Sequence, residues 1–536
     1  MKKTINWLKQ NPALVVVLIS CIGYGALYIT SAIKWIPYPN QIDYGEGLIV
    51  YIDKLWANGT WNWDINIPPY IPLMYGVGLP LIAMPFIKIF GVSLVIERSI
   101  MFASTIIICA GLYFIAKKAT GKTIYGILGA LLPLTQPIIR DWSLMARVDM
   151  LAVMFSFIGF CLAVKFRDNK WIYVSIILFV CAFFTKISAI AGVGAVLIYL
   201  LIYNRKVFIK YTSIFVGSIL GIFGFLQLIT KGGYYYNVIL CNRTVDKIWN
   251  LPAMLTNISI LMMPLAVVFI MAAVKVIKAI RNKERDRIDM LIVLYFIVAM
   301  GLNFSFALRP GGFLNYYLEF IIGACLCATI AFPSIINKAK EDYGKTGKAM
   351  ANGFMIMFLV AGFSTMCLKH AFPFPNEKYT EETKIVTRLI GDTNRPVITE
   401  NSGLVVNACK DIYIEPFEFT NMAALELIDD TNYVNDYRNQ YFDYIILRIP
   451  IYMRLDGDLH FKKEIIDIIG ENYTLIYEPS ENFYWYGLFV YESNNKIEKD
   501  GGTALWEGFK YEEYQNEDKG TFTVITSSVK MLLMAS

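Results

Sequence analysis

Histidine is almost missing from this sequence. Only His370 and His460 occur in 536 residues, and both fall outside the apolar stretches, which excludes histidine chemistry within a membrane. Charge is also sparse: Asp, Glu, Lys and Arg make up 17% of the chain against 56% hydrophobic residues, with a mean hydropathy of +0.49. A soluble protein of this length could not hide that much apolar surface in its cores, and hydrocarbon is the solvent that accepts it. The nine cysteines, at 21, 109, 161, 181, 241, 325, 327, 367 and 409, lie mostly inside apolar runs and form no CxxC pair. Neither a disulfide framework nor a zinc site is indicated. No sustained internal repeat is visible. The net charge of +6 comes mainly from short Lys/Arg clusters between apolar runs. Such clusters carry topological information, and no nucleic-acid partner is expected from them.

What the chain does have is apolar runs of about span length, at roughly 12–33, 95–116, 123–139, 148–165, 171–185, 187–203, 209–229, 253–274, 289–308, 313–335 and 349–367. Runs this apolar must be helical in a bilayer, where no water satisfies a bare backbone. The first follows Lys2 and Lys3 and reads as a retained signal anchor, being longer than a usual signal core. A twelfth run, 70–91, contains Pro72, Pro80, Pro85, Gly76 and Gly78. If it does not cross, the basic loops at 117–122, 165–170, 205–210, 278–287 and 338–348 all share the side of Lys2 and Lys3, as the positive-inside rule requires. If it crosses, all five invert. The expectation is therefore a re-entrant or interfacial segment within a long first outer loop, 34–94. That gives an α-helical polytopic membrane protein of about eleven spans in the plasma (inner) membrane, with a cytoplasmic N-terminus.

After about residue 368 the apolar runs shorten to strand length, at 397–399, 444–447, 474–477 and 487–491. They alternate with helical patterns at 384–390 and 423–428. An extracytoplasmic α/β domain over 368–536 is expected, behind a transmembrane module over 1–367.

With this topology the polar residues that are not cytoplasmic anchors gather at the outer face. They are Asp43 and Glu46 in the first loop, Arg140, Asp141, Arg147 and Asp149 after the third span, and Lys186 between the fifth and sixth. Arg243 follows the seventh span, and Arg309, Asn315, Tyr316 and Glu319 open the tenth. Ionisable groups at membrane depth cost at least ~2.5 kcal/mol each near the centre, so a cluster at one face points to a site. Each member also has a structural reading. Glu46 could stabilise a helix N-terminus, Asp149 could cap one, and Arg140, Asp141 and Arg147 could form an interfacial pair network. The aromatic residues Trp35, Trp56, Trp61, Trp63 and Tyr234–Tyr236 could form an interfacial belt.

Taken in order, Asp43-Tyr44-Gly45-Glu46-Gly47, Pro69 to Tyr75, Arg147-Val148-Asp149, Thr185-Lys186 and Gly312 to Glu319 resemble the GT-C glycosyltransferases. That superfamily includes the protein O-mannosyltransferases and aminoarabinose transferases. The resemblance spans roughly residues 10–335. It implies a membrane enzyme of cell-envelope glycan biosynthesis. A polyprenyl-phosphate sugar would be the donor and a glycan, lipid or protein the acceptor, with membrane lipids around it and inversion at the anomeric carbon. The superfamily's commonest first loop has adjacent acids, whereas here Tyr44 separates Asp43 from the next acid, Glu46. Asp43, Glu46 and Asp149 are the expected catalytic residues, with Asp43 as general base. Arg147, Lys186, Tyr70, Arg140, Arg243, Asn315 and Glu319 are the expected substrate-binding residues. No metal ligand is assigned, no cofactor is called for with certainty, and a divalent metal stays open. The alternatives are a transporter or flippase of lipid-linked saccharides, and a surface-glycan polymerase or ligase.

Overall fold

A computed structural model of the protein describes residues 12–243, 287–308, 313–333, 377–454, 460–479 and 487–496, together with Asp458 and scattered helical positions between 337 and 353. The expected span 253–274, all but two positions of 349–367, Arg309, His370 and the polar tail beyond residue 496 lie outside the described residues.

The apolar runs are helices. In chain order they are α1 (Pro12–Trp35), α2 (Glu46–Asn58), α3 (Gly78–Phe90), α4 (Leu94–Thr120), α5 (Thr123–Leu131), α6 (Pro137–Trp142), α7 (Asp149–Phe166), α8 (Val174–Thr185), α9 (Ala191–Tyr203), α10 (Arg205–Ile229), α11 (Arg287–Ala307) and α12 (Leu314–Pro333). The C-terminal part adds α13 (Glu377–Asp392), α14 (Ser402–Asn407), α15 (Pro416–Ala424), α16 (Thr431–Arg438) and α17 (Lys463–Asn472). Its strands are β1 (Ile398–Thr399), β2 (Tyr444–Leu447), β3 (Tyr473–Tyr477) and β4 (Phe489–Ser493). Two units emerge among the described residues. One is drawn from Met1–Tyr38, Tyr75–Leu228 and Met254–Pro373, the other from Pro39–Met74, Ile229–Ala253 and Phe374–Ser536.

In the first unit α4 packs against α5 and α7, α7 against α8 and α9, and α9 against α11. Helices α4, α7, α10 and α12, and Ile288–Ala307 of α11, are long and apolar enough to cross a membrane. On α10, Ile209, Leu220, Phe225 and Leu228 are exposed, an apolar surface suited to lipid rather than water. Among the fully buried ionisable residues here, Arg98 of α4 donates from Nη1 to the carbonyls of Trp35 (2.9 Å) and Tyr38 (2.6 Å), closing the C-terminal end of α1. The last carbonyls of a helix have no partner of their own, and a cation there also meets the negative end of the helix dipole.

Two stretches depart from the run-based reading, 123–139 and 423–428, while a third, 70–91, is broken as expected. The stretch 123–139 is not one helix: α5 stops at Leu131, a 3₁₀ turn covers Leu132–Thr135, and α6 begins at Pro137. Pro133 and Pro137 lack the N–H a continuous helix needs, so the break falls where they stand. Residues 140–142, expected in a loop, are therefore helical and buried. The stretch 70–91 is helical only from Gly78, and thirteen residues rise about 20 Å, less than the ~30 Å of hydrocarbon. The helical pattern at 423–428 ends at Ala424, where the chain turns and Glu426 takes a left-handed φ of 55°.

The second unit holds a four-stranded sheet of order β1-β2-β4-β3. Strand β1 is parallel to β2, with Ile398 opposite Ile445, and β4 runs antiparallel to both β2 and β3. Every residue of β2 and β4 is buried, as expected for central strands. Ile65 from the first long loop and Cys241 share one apolar core with Ile398, Ile445, Phe461 and Ile469. The loop is fastened by backbone as well: Tyr70 N–H donates to Tyr413 O at 3.0 Å, beside a parallel bridge from Tyr70 to Ile414. A Cβ on Gly47 of α2 would lie 2.1 Å from the Gly403 nitrogen of α14, so only glycine allows these two helices to touch there.

Candidate active site

Three helix ends of the first unit place charged groups together. Asp149 is the first residue of α7, where the positive end of the helix dipole favours an acid. Lys186 follows the last residue of α8, where the negative end favours a cation. Asn315 lies in the first turn of α12. One oxygen of Asp149, Oδ1, accepts from Lys186 Nζ at 2.5 Å and from Asn315 Nδ2 at 2.9 Å. All three residues are buried. The ammonium of Lys186 also lies 4.5 Å from the ring centre of Tyr316 and 5.6 Å from that of Tyr75. Arg147, half-buried, donates from Nη2 to the Tyr75 hydroxyl at 3.2 Å.

Tyr75 reaches this group because its segment lies against the end of α8. Gly76 N–H donates to Thr185 O at 3.2 Å, and a Cβ on Gly78 would stand 2.1 Å from Thr185 Oγ1. Two acceptor atoms in the cluster, Asp149 Oδ2 and Asn315 Oδ1, are buried with no hydrogen-bond partner among the described residues. Buried acceptors left so are costly unless a ligand or water completes them.

Asp43 and Glu46 lie in the second unit. Glu46 opens α2, and its Oε2 accepts from the N–H groups of Ile42 (2.5 Å) and Asp43 (3.3 Å). This is half of a capping box, with a buried glutamate satisfying the chain that precedes its own helix. Asp43 is half-buried, and its Oδ2 accepts from Gly45 N–H at 3.2 Å. Beside it, the Tyr44 ring packs edge-on to Phe417 and His460, with the Arg448 guanidinium 5.2 Å from its centre. Behind these stands the buried carboxylate of Glu400, which binds Arg454 at 2.6 Å and accepts from Arg448 N–H at 2.7 Å. Burial alone would raise Glu400, but Arg454, His460 and Arg448 outweigh it and hold its carboxyl at about 2. Burial pushes His460 down to about 4, so its ring is neutral at physiological pH. Burial likewise pushes Glu415 up to about 7.

Arg147, Asp149, Lys186 and Asn315, singled out from the sequence, thus come together in one cluster. The other expected residues make different contacts. Arg140 is buried and bonds Asp141 at 2.8 Å. Glu319 accepts from Ser156 Oγ at 2.6 Å and from Ala191 N–H at 3.3 Å, tying α12 to α7 and the start of α9. Tyr70 packs its ring on Tyr413 and Phe419, and the Arg243 carbonyl accepts from Asn421. The sequence reading named Tyr316 at the outer face without giving it a role, and did not assign Tyr75, Tyr44, Arg448 or His460 to the site. Tyr75, Tyr316 and Tyr44 lie within or beside its motifs, whereas no local signal marks the other two. Among the described residues no group of three His, Cys, Asp or Glu side chains is placed to hold a metal ion.

The family model described as dolichyl-phosphate-mannose-protein mannosyltransferase matches residues 76–229, a stretch that contains Arg147, Asp149 and Lys186. The fold is similar to that of ArnT from Cupriavidus metallidurans, solved in the apo state and bound to undecaprenyl phosphate. Each comparison gives 12% identity and a TM-score of 0.57, covering 88% of this chain and 98% of ArnT. It is also similar to the Archaeoglobus fulgidus oligosaccharyltransferase, solved in complex with zinc and sulfate. There the identity is 11% and the TM-score 0.50, over 90% of this chain and 73% of that one. Family model and fold together support a GT-C superfamily glycosyltransferase. Its apolar helices make it a multi-pass membrane protein. Comparison with curated protein sequences gives no match.

Proposed function

We propose that this GT-C glycosyltransferase moves a sugar from a polyprenyl-phosphate donor to an acceptor hydroxyl on the extracytoplasmic face of the plasma membrane. The observation that carries this reading is the cluster of Tyr75, Arg147, Asp149, Lys186, Asn315 and Tyr316. It sets two cations against one carboxylate, a positive excess suited to a phosphate. ArnT, of the same fold, binds undecaprenyl phosphate.

In this mechanism Asp43 takes the proton of the acceptor hydroxyl as its oxygen attacks the anomeric carbon. The bond from that carbon to the phosphate oxygen breaks, and the lipid phosphate leaves with the electron pair. The anomeric centre inverts. Arg147 and Lys186 stabilise the charge that develops on the leaving phosphate. Asp149 acts through Lys186, holding the ammonium between the two tyrosine rings. The unpartnered Asp149 Oδ2 and Asn315 Oδ1 are acceptors for hydroxyls of the donor sugar.

The test is transfer from a polyprenyl-phosphate sugar by membranes carrying the full chain. Asp43→Asn should slow transfer by about 10²-fold or more at normal protein level. Wild-type transfer by that variant would remove Asp43 from the mechanism.

A further inference from the structure

The segment that carries Asp43 is held from two sides. On one side Glu46 accepts the N–H groups of Ile42 and Asp43. On the other stands a relay of C-terminal side chains. Glu400 is fixed by Arg454 and by the backbone of Arg448, and His460 Nδ1 lies 3.3 Å from its Oε1 without a hydrogen bond between them. The opposite ring nitrogen, Nε2, lies 3.3 Å from Arg448 Nη2. A guanidinium has no acceptor, so Nε2 must accept, which fixes the neutral tautomer with its proton on Nδ1. Arg448, aimed in this way, lies over the Tyr44 ring. Among the described residues it has no carboxylate within 4.0 Å, and its Nε is buried without a hydrogen-bond partner. Its charge also acts on Glu400 and Glu415 at longer range, and the Tyr44 ring is the group on the Asp43 segment that it contacts.

We propose that Arg448 is a positioning residue for sugar transfer: through Tyr44 it fixes the conformation of the segment that presents Asp43. Cation–π contacts strengthen when partly desolvated, and Arg448, Tyr44, Phe417 and His460 are all half-buried. The C-terminal region then acts on the chemistry without touching the reacting atoms. This rests on the reading of Asp43 as the base.

The experiment uses the full chain, purified in detergent, with two readouts: hydrogen exchange of the amides at 42–47 and transfer kinetics from a polyprenyl-phosphate sugar. Arg448→Met should speed exchange in that segment about tenfold and lower kcat by a similar factor, with KM for the donor unchanged within about twofold. Arg448→Lys, which keeps the cation, should recover most of both losses. Tyr44→Leu should reproduce the Arg448→Met effect, and the double variant should be no worse than either single one, because both break one contact. Should Arg448→Met fail to fold, Tyr44→Leu alone carries the test. Native exchange at 42–47 in these variants, or additive losses in the double variant, would overturn the proposal. Asp43→Asn in the same assay separates the two ideas. If it abolishes transfer while Arg448→Met changes neither readout, the positioning role falls and the reading of Asp43 stands. Should Asp43→Asn transfer normally, that reading falls, and exchange alone decides whether Arg448 orders the segment.

Discussion

Asp149 Oδ1 takes hydrogen bonds from both Lys186 and Asn315 in a buried setting, so removing one partner has two distinct costs. A buried ion pair contributes little net stability, but breaking it strands the other charge at about 3–5 kcal/mol. Lys186→Met should therefore lower the thermal midpoint in detergent as well as transfer. Lys186→Met combined with Asp149→Asn should regain most of the midpoint and none of the transfer. Equal midpoints for the single and double variants would show that the pair is not buried as described. A second residue-scale expectation concerns pH. His460 is held at about 4, below its ordinary 6.5, so its contribution to stability is complete above 6.5 and is lost as pH falls toward 4. Glu400, held at about 2, loses its contribution as pH falls below 4.5. Glu415 has the opposite sign. Raised from 4.5 to about 7, it costs stability as pH rises and a buried carboxylate must form. Glu415→Gln should raise the thermal midpoint at about pH 8 and change it little at about pH 5, measured by calorimetry of the full chain. A gain that is the same at both pH values would contradict the burial of that carboxyl.

Among the elements, the short helix α3 depends on a close approach that only glycine permits. Thr185 Oγ1 is held in place by its bond to Cys181 O at 2.7 Å, and the Gly78 Cα faces it directly. Gly78→Ala would set a Cβ 2.1 Å from that oxygen and 2.9 Å from Thr185 Cα. The expected loss is about 1–3 kcal/mol in thermal stability, with a fall in transfer because Tyr75 and Lys186 flank the displaced contact. An unchanged midpoint would mean that α3 is not seated on α8. The strand-length runs at 397–399, 444–447, 474–477 and 487–491 each coincide with a strand to within two residues at either end, since β-rich apolar runs bounded by turns leave little choice. The break in 123–139 was legible in its prolines. The end of α15 was not, because no proline or glycine marks Glu426, the residue that turns left-handed.

For the molecule as a whole, orientation is open to a direct measurement. Cys409 is exposed, while seven other cysteines in the described residues are buried or half-buried. In a Cys367→Ser background a membrane-impermeant maleimide should label the chain in intact cells, and adding Cys409→Ser should abolish the signal. Labelling only after permeabilisation would invert the proposed topology and remove the extracytoplasmic site. Much of the rest was readable from residues alone. Composition determined the membrane class, because 56% hydrophobic residues require hydrocarbon around them. The helical spans followed from backbone polarity in that solvent, and the cost of charge at membrane depth gathered Arg147, Asp149, Lys186 and Asn315 at one face together with Asp43, Glu46, Arg140, Arg243 and Glu319. Tertiary structure alone decided which oxygen Lys186 binds, that Glu46 caps the chain before its own helix, and that Glu319 ties α12 to its neighbours. It also brought Arg448 and His460 to Tyr44. Periodicity and composition report what each residue's solvent must be, whereas a hydrogen bond between residues hundreds of positions apart exists only once packing has brought them within about 3 Å.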